Sequence, residues 1–180
     1  MKISALSVLV ACLATGSAIA GPETHCSPHE EVLFSCAIAG SKKVASLCGD
    51  PKDNEITRLQ YRIGAIGHPE MIYPKNEQGS TEKFFAHFED HWAIGGFIMR
   101  QVWFKVGSYR YLMAVDTRCA QCPEVMTPPE NANQVETQEI VVYKGWQPVA
   151  KFQCVGTPIG DLNRIAGRIP DAHDSFYNQK

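Results

Sequence analysis

The stretch "FIMRQVWFKVGSYRYLMAV", residues 97–115, constrains the fold more than any other part of the chain. If Gly107-Ser108 forms a two-residue turn, Val106 falls opposite Tyr109, Phe104 opposite Tyr111 and Val102 opposite Met113. All three pairs are largely apolar and share one face, so a register taken from the turn alone agrees with the hydrophobic pattern. The other face sets Lys105 opposite Arg110 and Trp103 opposite Leu112, and is only partly polar. A β-hairpin with one buried face is therefore expected.

The same signature recurs along the chain. Val32, Phe34, Cys36 and Ile38 alternate onto one face, Gly40-Ser41 turns, and Lys43 to Cys48 returns. In "ITRLQYRI" the period of two places Thr57, Leu59, Tyr61 and Ile63 inward and Arg58, Gln60 and Arg62 outward. "QEIVVYKGWQPVAKFQC" turns near Lys144-Gly145 and sets Ala150, Phe152 and Cys154 on one side. Two segments depart from this pattern. Gln121 to Thr137 contains three prolines and reads as a long loop. "DLNRIAGRI" spaces Leu162, Ile165 and Ile169 for one helical face, with Asp161 as N-cap and Pro170 as stop. The expectation is an all-β sandwich or barrel of about eight or nine short antiparallel strands with a short C-terminal helix.

Residues 1–20, "MKISALSVLVACLATGSAIA", combine Lys2, an apolar run and a small-residue Ala18-Ile19-Ala20 site, as a secretory signal peptide does. The run falls short of the roughly 20 apolar residues a membrane span needs, and no second one follows. Leu9-Val10-Ala11-Cys12 also resembles a lipoprotein box, a competing site for processing. Cleavage after Ala20 leaves residues 21–180 as one domain in the periplasm or secreted. Six of the 7 cysteines then remain: Cys26, Cys36, Cys48, Cys119, Cys122 and Cys154. An even set in an oxidising compartment reads as a disulfide framework. Cys36 and Cys154 both point inward, one near the first strand and one in the last, and a bond between them would close the sheet end to end. Six cysteines nonetheless allow many connectivities.

The chain holds 17 basic and 19 acidic residues, and losing Lys2 leaves 16 against 19, a formal charge of −3. That balance gives no electrostatic case for nucleic acid or an anionic membrane.

Few constellations could carry chemistry. Cys119-Ala-Gln-Cys122 has thiol-exchange spacing, but it runs into Pro123 with no βαβ context, so a framework disulfide is expected. "HCSPHE" offers His25, Cys26 and His29, half of a zinc motif at a stapled terminus. In "HFEDHW", His87, Glu89 and His91 share a face on a strand and form a two-histidine, one-carboxylate metal set; on a helix the two histidines remain neighbours. The competing reading is an exposed polar face opposite an inward aromatic one. Arg58, Arg62, Lys105 and Arg110 could meet an anionic glycan or carboxylate, or simply be a solvated face. No nucleophile elbow or phosphate loop is present, and no cofactor is expected.

The pattern "C…EEVLFSC…KKVASLC", then "LQYRIG", "EMIYP", "GSYRY" and a closing "GWQPVAKFQC", resembles a family of uncharacterised exported proteins of Gram-negative bacteria, over about Cys26 to Cys154. The resemblance implies a periplasmic or secreted location and a β-rich fold. A second likeness is to the periplasmic β-barrel lysozyme inhibitors, although their SGxxY segment is absent where it is expected and "GSYRY" is a distant echo. The functional expectation is a non-enzymatic exported binding module, an inhibitor or immunity-type protein acting on a periplasmic or cell-wall enzyme. Trp103, Lys105 and Arg110 and the loop from Gln121 are the expected partner contacts. The alternative is a metal-binding protein or metal-dependent enzyme using His87, Glu89 and His91.

Overall fold

The computed structural model describes residues 23–120, 133–172 and 176. Nine strands form one sheet: β1 (Glu31–Ile38), β2 (Lys43–Lys52), β3 (Glu55–Ala65), β4 (His68–Tyr73), β5 (Phe84–His91), β6 (Phe97–Val106), β7 (Tyr109–Cys119), β8 (Gln134–Lys144) and β9 (Gln147–Ile159). Their order is β4-β3-β2-β1-β9-β8-β7-β6-β5. Two meanders, β1 to β4 and β5 to β9, therefore meet at the central β1–β9 ladder. Each neighbouring pair is antiparallel. With an odd number of strands, that alternation forces the two edges, β4 and β5, to run in the same direction. Such edges cannot join through an antiparallel ladder, and the sheet curls into an open half-barrel.

The hairpin of β6 and β7 has the register read from its turn, with Val106 opposite Tyr109, Phe104 opposite Tyr111 and Val102 opposite Met113. The first hairpin and the last also turn where the turn residues place them, but a bulge between Val32 and Phe34 in β1 takes Val32 off the inward face and puts Leu33 into the core with Phe34, Cys36 and Ile38. In β3 the alternation breaks. A bulge between Asp50 and Pro51 slips the register, so that Ile56 is buried and Thr57 is exposed. One extra residue turns the strand over at that point. Gln60 and Arg62 do face outward, yet both are covered: Gln60 donates to the Pro74 carbonyl at 2.9 Å, and Arg62 lies under the N-terminal segment.

Curling brings the far strands into contact. Tyr61 of β3 lies 5.0 Å from Phe104 of β6, and Tyr73 of β4 stacks on Phe104 at 4.5 Å. With Phe84 and Tyr111 these rings close one end of the half-barrel, above a core of Phe34, Leu47, Leu59, Val102, Met113 and Ile140. Burial pushes the Tyr61 phenol up, and its hydroxyl finds no hydrogen-bond partner among the described residues.

The expected C-terminal helix is a single 3-10 turn, Leu162–Ile165. Asp161 caps it by accepting from the Asn163 amide, and Leu162, Ile165 and Ile169 are buried as their spacing predicts. Gly167, at φ +71°, ends the helical path before Pro170. The chain then reaches the β5 edge, where the Ala86 amide donates to the Pro170 carbonyl and the Ala172 amide donates to the Ala86 carbonyl. Phe176 packs on the outer face against Trp103, Tyr143 and Trp146. That contact builds a second, smaller core outside the sheet.

Where β9 leaves the sheet, Gly160 has φ +105°, and a Cβ there would lie 2.4 Å from the Leu33 carbonyl carbon and 2.6 Å from the Phe34 nitrogen. Backbone cannot yield as a side chain does. Gly160→Ala is expected to cost about 2 kcal/mol, read as a lower urea midpoint at unchanged slope. A midpoint equal to wild type would contradict this close approach.

Candidate functional site: the open edge and the polar end of the half-barrel

The outer edge of β4 has no strand beside it among the described residues. Its burial alternates, with Met71 and Tyr73 leaning inward and Ile72 exposed. After the cis Tyr73–Pro74 bond the chain turns back along β3, where the Ser80 hydroxyl accepts from the Leu59 amide at 2.8 Å. β5 begins at Phe84, opposite Phe104, so Lys105 and Val106 extend past it. The space between β4 and the tip of β6 is a groove of about 530 Å³, lined by Glu70 to Asn76, Lys83 and Val106. Its wall is mainly apolar: Met71, Ile72, Tyr73, Pro74 and Val106. Glu70 is paired with Lys43 at 2.6 Å. Among the described residues, neither Lys75 nor Lys83 meets a carboxylate within ion-pair distance. The groove thus offers apolar contact, free backbone groups and two uncompensated cations.

The opposite end of the interior is polar. Register sets Phe88, Arg100, Val115 and Gln138 in one inward row, and Ile98, Thr117 and Glu136 in the next. Two small cavities open there, of about 110 and 160 Å³. Arg100 donates from Nε to the Asn163 side chain at 2.6 Å and from Nη1 to the Glu89 carbonyl at 2.7 Å, and sits 5.5 Å from the Phe88 ring centre.

His87, Glu89 and His91 lie on the outer face of β5, which the structure makes a strand up to His91, where a short turn, Trp92–Gly95, begins. His87 Nε2 is 2.6 Å from Glu89 Oε1, and His91 Nε2 is 3.6 Å from Glu89 Oε2. Glu89 stands between the imidazoles, within hydrogen-bond distance of His87 and beyond it from His91. Among the described residues, no group of three or more His, Cys, Asp or Glu is arranged to hold a metal ion.

The other expected contacts divide. Lys105 is exposed, whereas Arg110 stacks 3.8 Å over Trp146 and donates to the Gly145 carbonyl. Trp103 is 4% exposed, stacked on Phe85 and met edge-on by Phe176, so it offers little surface to a partner. Its apolar character reflects the second core. Arg58 is engaged by Asp50 and Glu77, and Arg62 by Glu30. Residues 121–132 of the expected contact loop lie outside the described residues, and Gln134 to Thr137 belong to β8.

Cys26 is bonded to Cys48 and Cys36 to Cys154. The second pair is the one the inward positions favour, but its place differs from the expectation. It joins β1 to β9 at the middle of the sheet, tying the two meanders together rather than the sheet's ends. With Cys26 oxidised, no thiolate of "HCSPHE" is left for zinc; His25 instead approaches the Val44 and Gly64 carbonyls, each at 3.1 Å. Cys119 is also disulfide-bonded. Cys12, Cys122 and the proposed leader lie outside the described residues. These disulfides fit an oxidising, non-cytoplasmic location. No helix among the described residues is long and apolar enough to cross a membrane.

The groove and the polar interior leave little local trace in the sequence. "EMIYP" carried the alternation of the groove strand, but nothing local marks a strand as an edge. Arg100 and Gln138 take inward positions next to the apolar Val102 and Ile140 of their strands, and that mismatch was the available signal. Set against known proteins, the chain matches no family model, no curated protein and no solved structure.

Proposed function

We propose that this chain is an exported, non-enzymatic binding module of the periplasm or extracellular space, which holds a cell-envelope enzyme by seating an extended acidic segment of it along β4. One observation carries the reading: an unpaired strand edge beside an apolar groove flanked by Lys75 and Lys83. A free edge supplies backbone hydrogen bonds to an incoming strand, and side-chain pockets beside it supply selectivity. The parity of the sheet adds to this, because one strand antiparallel to β4 continues the sheet's own alternation. Carboxylates on that segment would meet the two uncompensated ammonium groups.

The test places a photo-crosslinker at Ile72 or Val106 in the groove, with Val149 on another surface as control. Crosslinks to one acidic segment of one enzyme, from the groove positions alone, are expected. With that enzyme purified, Lys75→Glu/Lys83→Glu should weaken the complex by about tenfold or more and flatten its salt dependence. Crosslinking from Val149 as efficient as from the groove, or a complex indifferent to the charge reversal, would contradict the reading.

A further inference from the structure

Inside the half-barrel, remote from β4, three features converge on the paired cavities at the polar end. The first is an orphaned acceptor. Gln138 is 8% exposed, its Oε1 accepts no hydrogen bond among the described residues, and it lines both cavities. A buried amide oxygen without a partner is costly, and a ligand or water that donates to it recovers that cost. The second is a cation without a carboxylate. Arg100 spends Nε and Nη1 on Asn163 and on the Glu89 and Met99 carbonyls, and no acidic side chain among the described residues is in ion-pair range of it. Its guanidinium is held in place and still short of a counter-ion. The third is an acidic group at the solvent-exposed mouth of the cavities: Glu136, one row beyond Gln138, whose carboxylate receives, among the described residues, a long bond of 3.3 Å from Gln138 Nε2.

We infer that this chamber is a binding site for a small free amino acid with an apolar side chain. Its carboxylate would pair with Arg100, its ammonium would donate to Gln138 Oε1 and Glu136, and its side chain would lie on Leu33, Ile98 and Val115. Arg100 on β6 stands two strands from Gln138 and Glu136 on β8, with Val115 of β7 between them, about 10 Å of backbone at roughly 5 Å per strand, a gap that long side chains reaching inward narrow to the length of one small zwitterion. The cavity of about 160 Å³ has room for one small molecule of this kind. This site is independent of the β4 groove, and either assignment stands if the other fails.

Titration calorimetry on the intact exported protein tests it, with L-alanine and L-leucine as probes and acetate, n-butylamine and glycerol as controls. Saturable binding of an amino acid is expected, with each single-group control weaker by about tenfold or more, because each charge-assisted hydrogen bond lost is worth that much. Gln138→Leu and Arg100→Met should each weaken it by a similar factor. Gln138→Leu serves as the variant that leaves the 3-10 turn's contact with Arg100 intact. Binding of acetate as tight as that of alanine would reduce the site to an anion pocket. Binding of glycerol alone, or of nothing, would leave a chamber for ordered water only; any of these outcomes overturns the assignment.

Discussion

Replacing Cys36 and Cys154 together by alanine should lower the unfolding free energy by about 4 kcal/mol, the largest loss expected from removing one covalent link in this chain. The bond closes a separation of 118 residues. By chain-entropy reasoning a loop of that size restricts the unfolded ensemble by between 4 and 5 kcal/mol, roughly, of which native-state relaxation returns a part. Both meanders are internally laced by hairpins, but β1 and β9 are joined by few paired residues, with a register shift between Ser35 and Ala37. The covalent bond thus sits where the ladder is weakest. The Cys26–Cys48 bond, with a separation of 22, should cost roughly 3 kcal/mol when removed in the same way. Guanidinium titrations of the two double variants, on oxidised protein, check both the size and the ranking. Near-wild-type stability of the Cys36/Cys154 variant would mean that the two meanders hold each other without it.

The second large effect concerns the latch of the N-terminal segment. Arg62 Nη1 and Nη2 grip Glu30 at 2.7 Å each, with side chains 14% and 8% exposed. Burial alone would push the Glu30 carboxyl up; the hydrogen bonds from Arg62 and from the Ser27 hydroxyl and amide outweigh it and hold the carboxyl at about 2. Arg62→Met should destabilise by about 3 kcal/mol at neutral pH, since it strands a buried carboxylate. The pH dependence follows from the sign of the shift. The folded value lies below the ordinary 4.5, so the stabilising contribution is complete above about pH 5 and is lost as pH falls toward 2. The amount at stake is about 3 kcal/mol at 1.36 per unit. Glu30→Gln should therefore flatten the acid limb of the stability curve by about one proton, and leave a shallower fall between pH 4.5 and 2. An unchanged acid limb in that variant, or a fully stable Arg62→Met, would show that the pair does not hold the segment.

The parts of this fold that could be read from the chain are those in which a local rule and a tertiary demand coincide. The β6–β7 hairpin is the clearest: its turn residues choose a register, and the buried face accepts the same one. The C-terminal segment shows the limit of periodicity. Leu162, Ile165 and Ile169 bury as a helical face would, yet they do so on one 3-10 turn and an irregular path, because three apolar contacts need no full helix. β3 shows another limit, since a bulge inverts the alternation and leaves no mark in "ITRLQYRI". The position of Cys36–Cys154 was hidden for a topological reason. First and last strands were expected at the ends of a sheet, but two meanders growing in opposite directions put them at its centre. The same topology makes β4 and β5 the edges, so the groove follows from strand order, which no single segment encodes. Among the candidate site residues, His87, Glu89 and His91 do share a face, as the alternation required. What they make is a His87–Glu89 hydrogen bond with His91 alongside at 3.6 Å. Trp103 carried an apolar side chain on the outer face, and Phe176, distant in sequence, is the residue that accounts for it.

The central claim is that the half-barrel is open at β4, and backbone amide hydrogen exchange on the unliganded protein tests it most directly. Outward amides of Glu70 to Tyr73 should exchange orders of magnitude faster than those of β6 and β7, while Ala86 on the opposite edge is protected by its bond to Pro170. Uniform protection along β4, matching the central strands, would mean that the edge is already paired and would contradict the account.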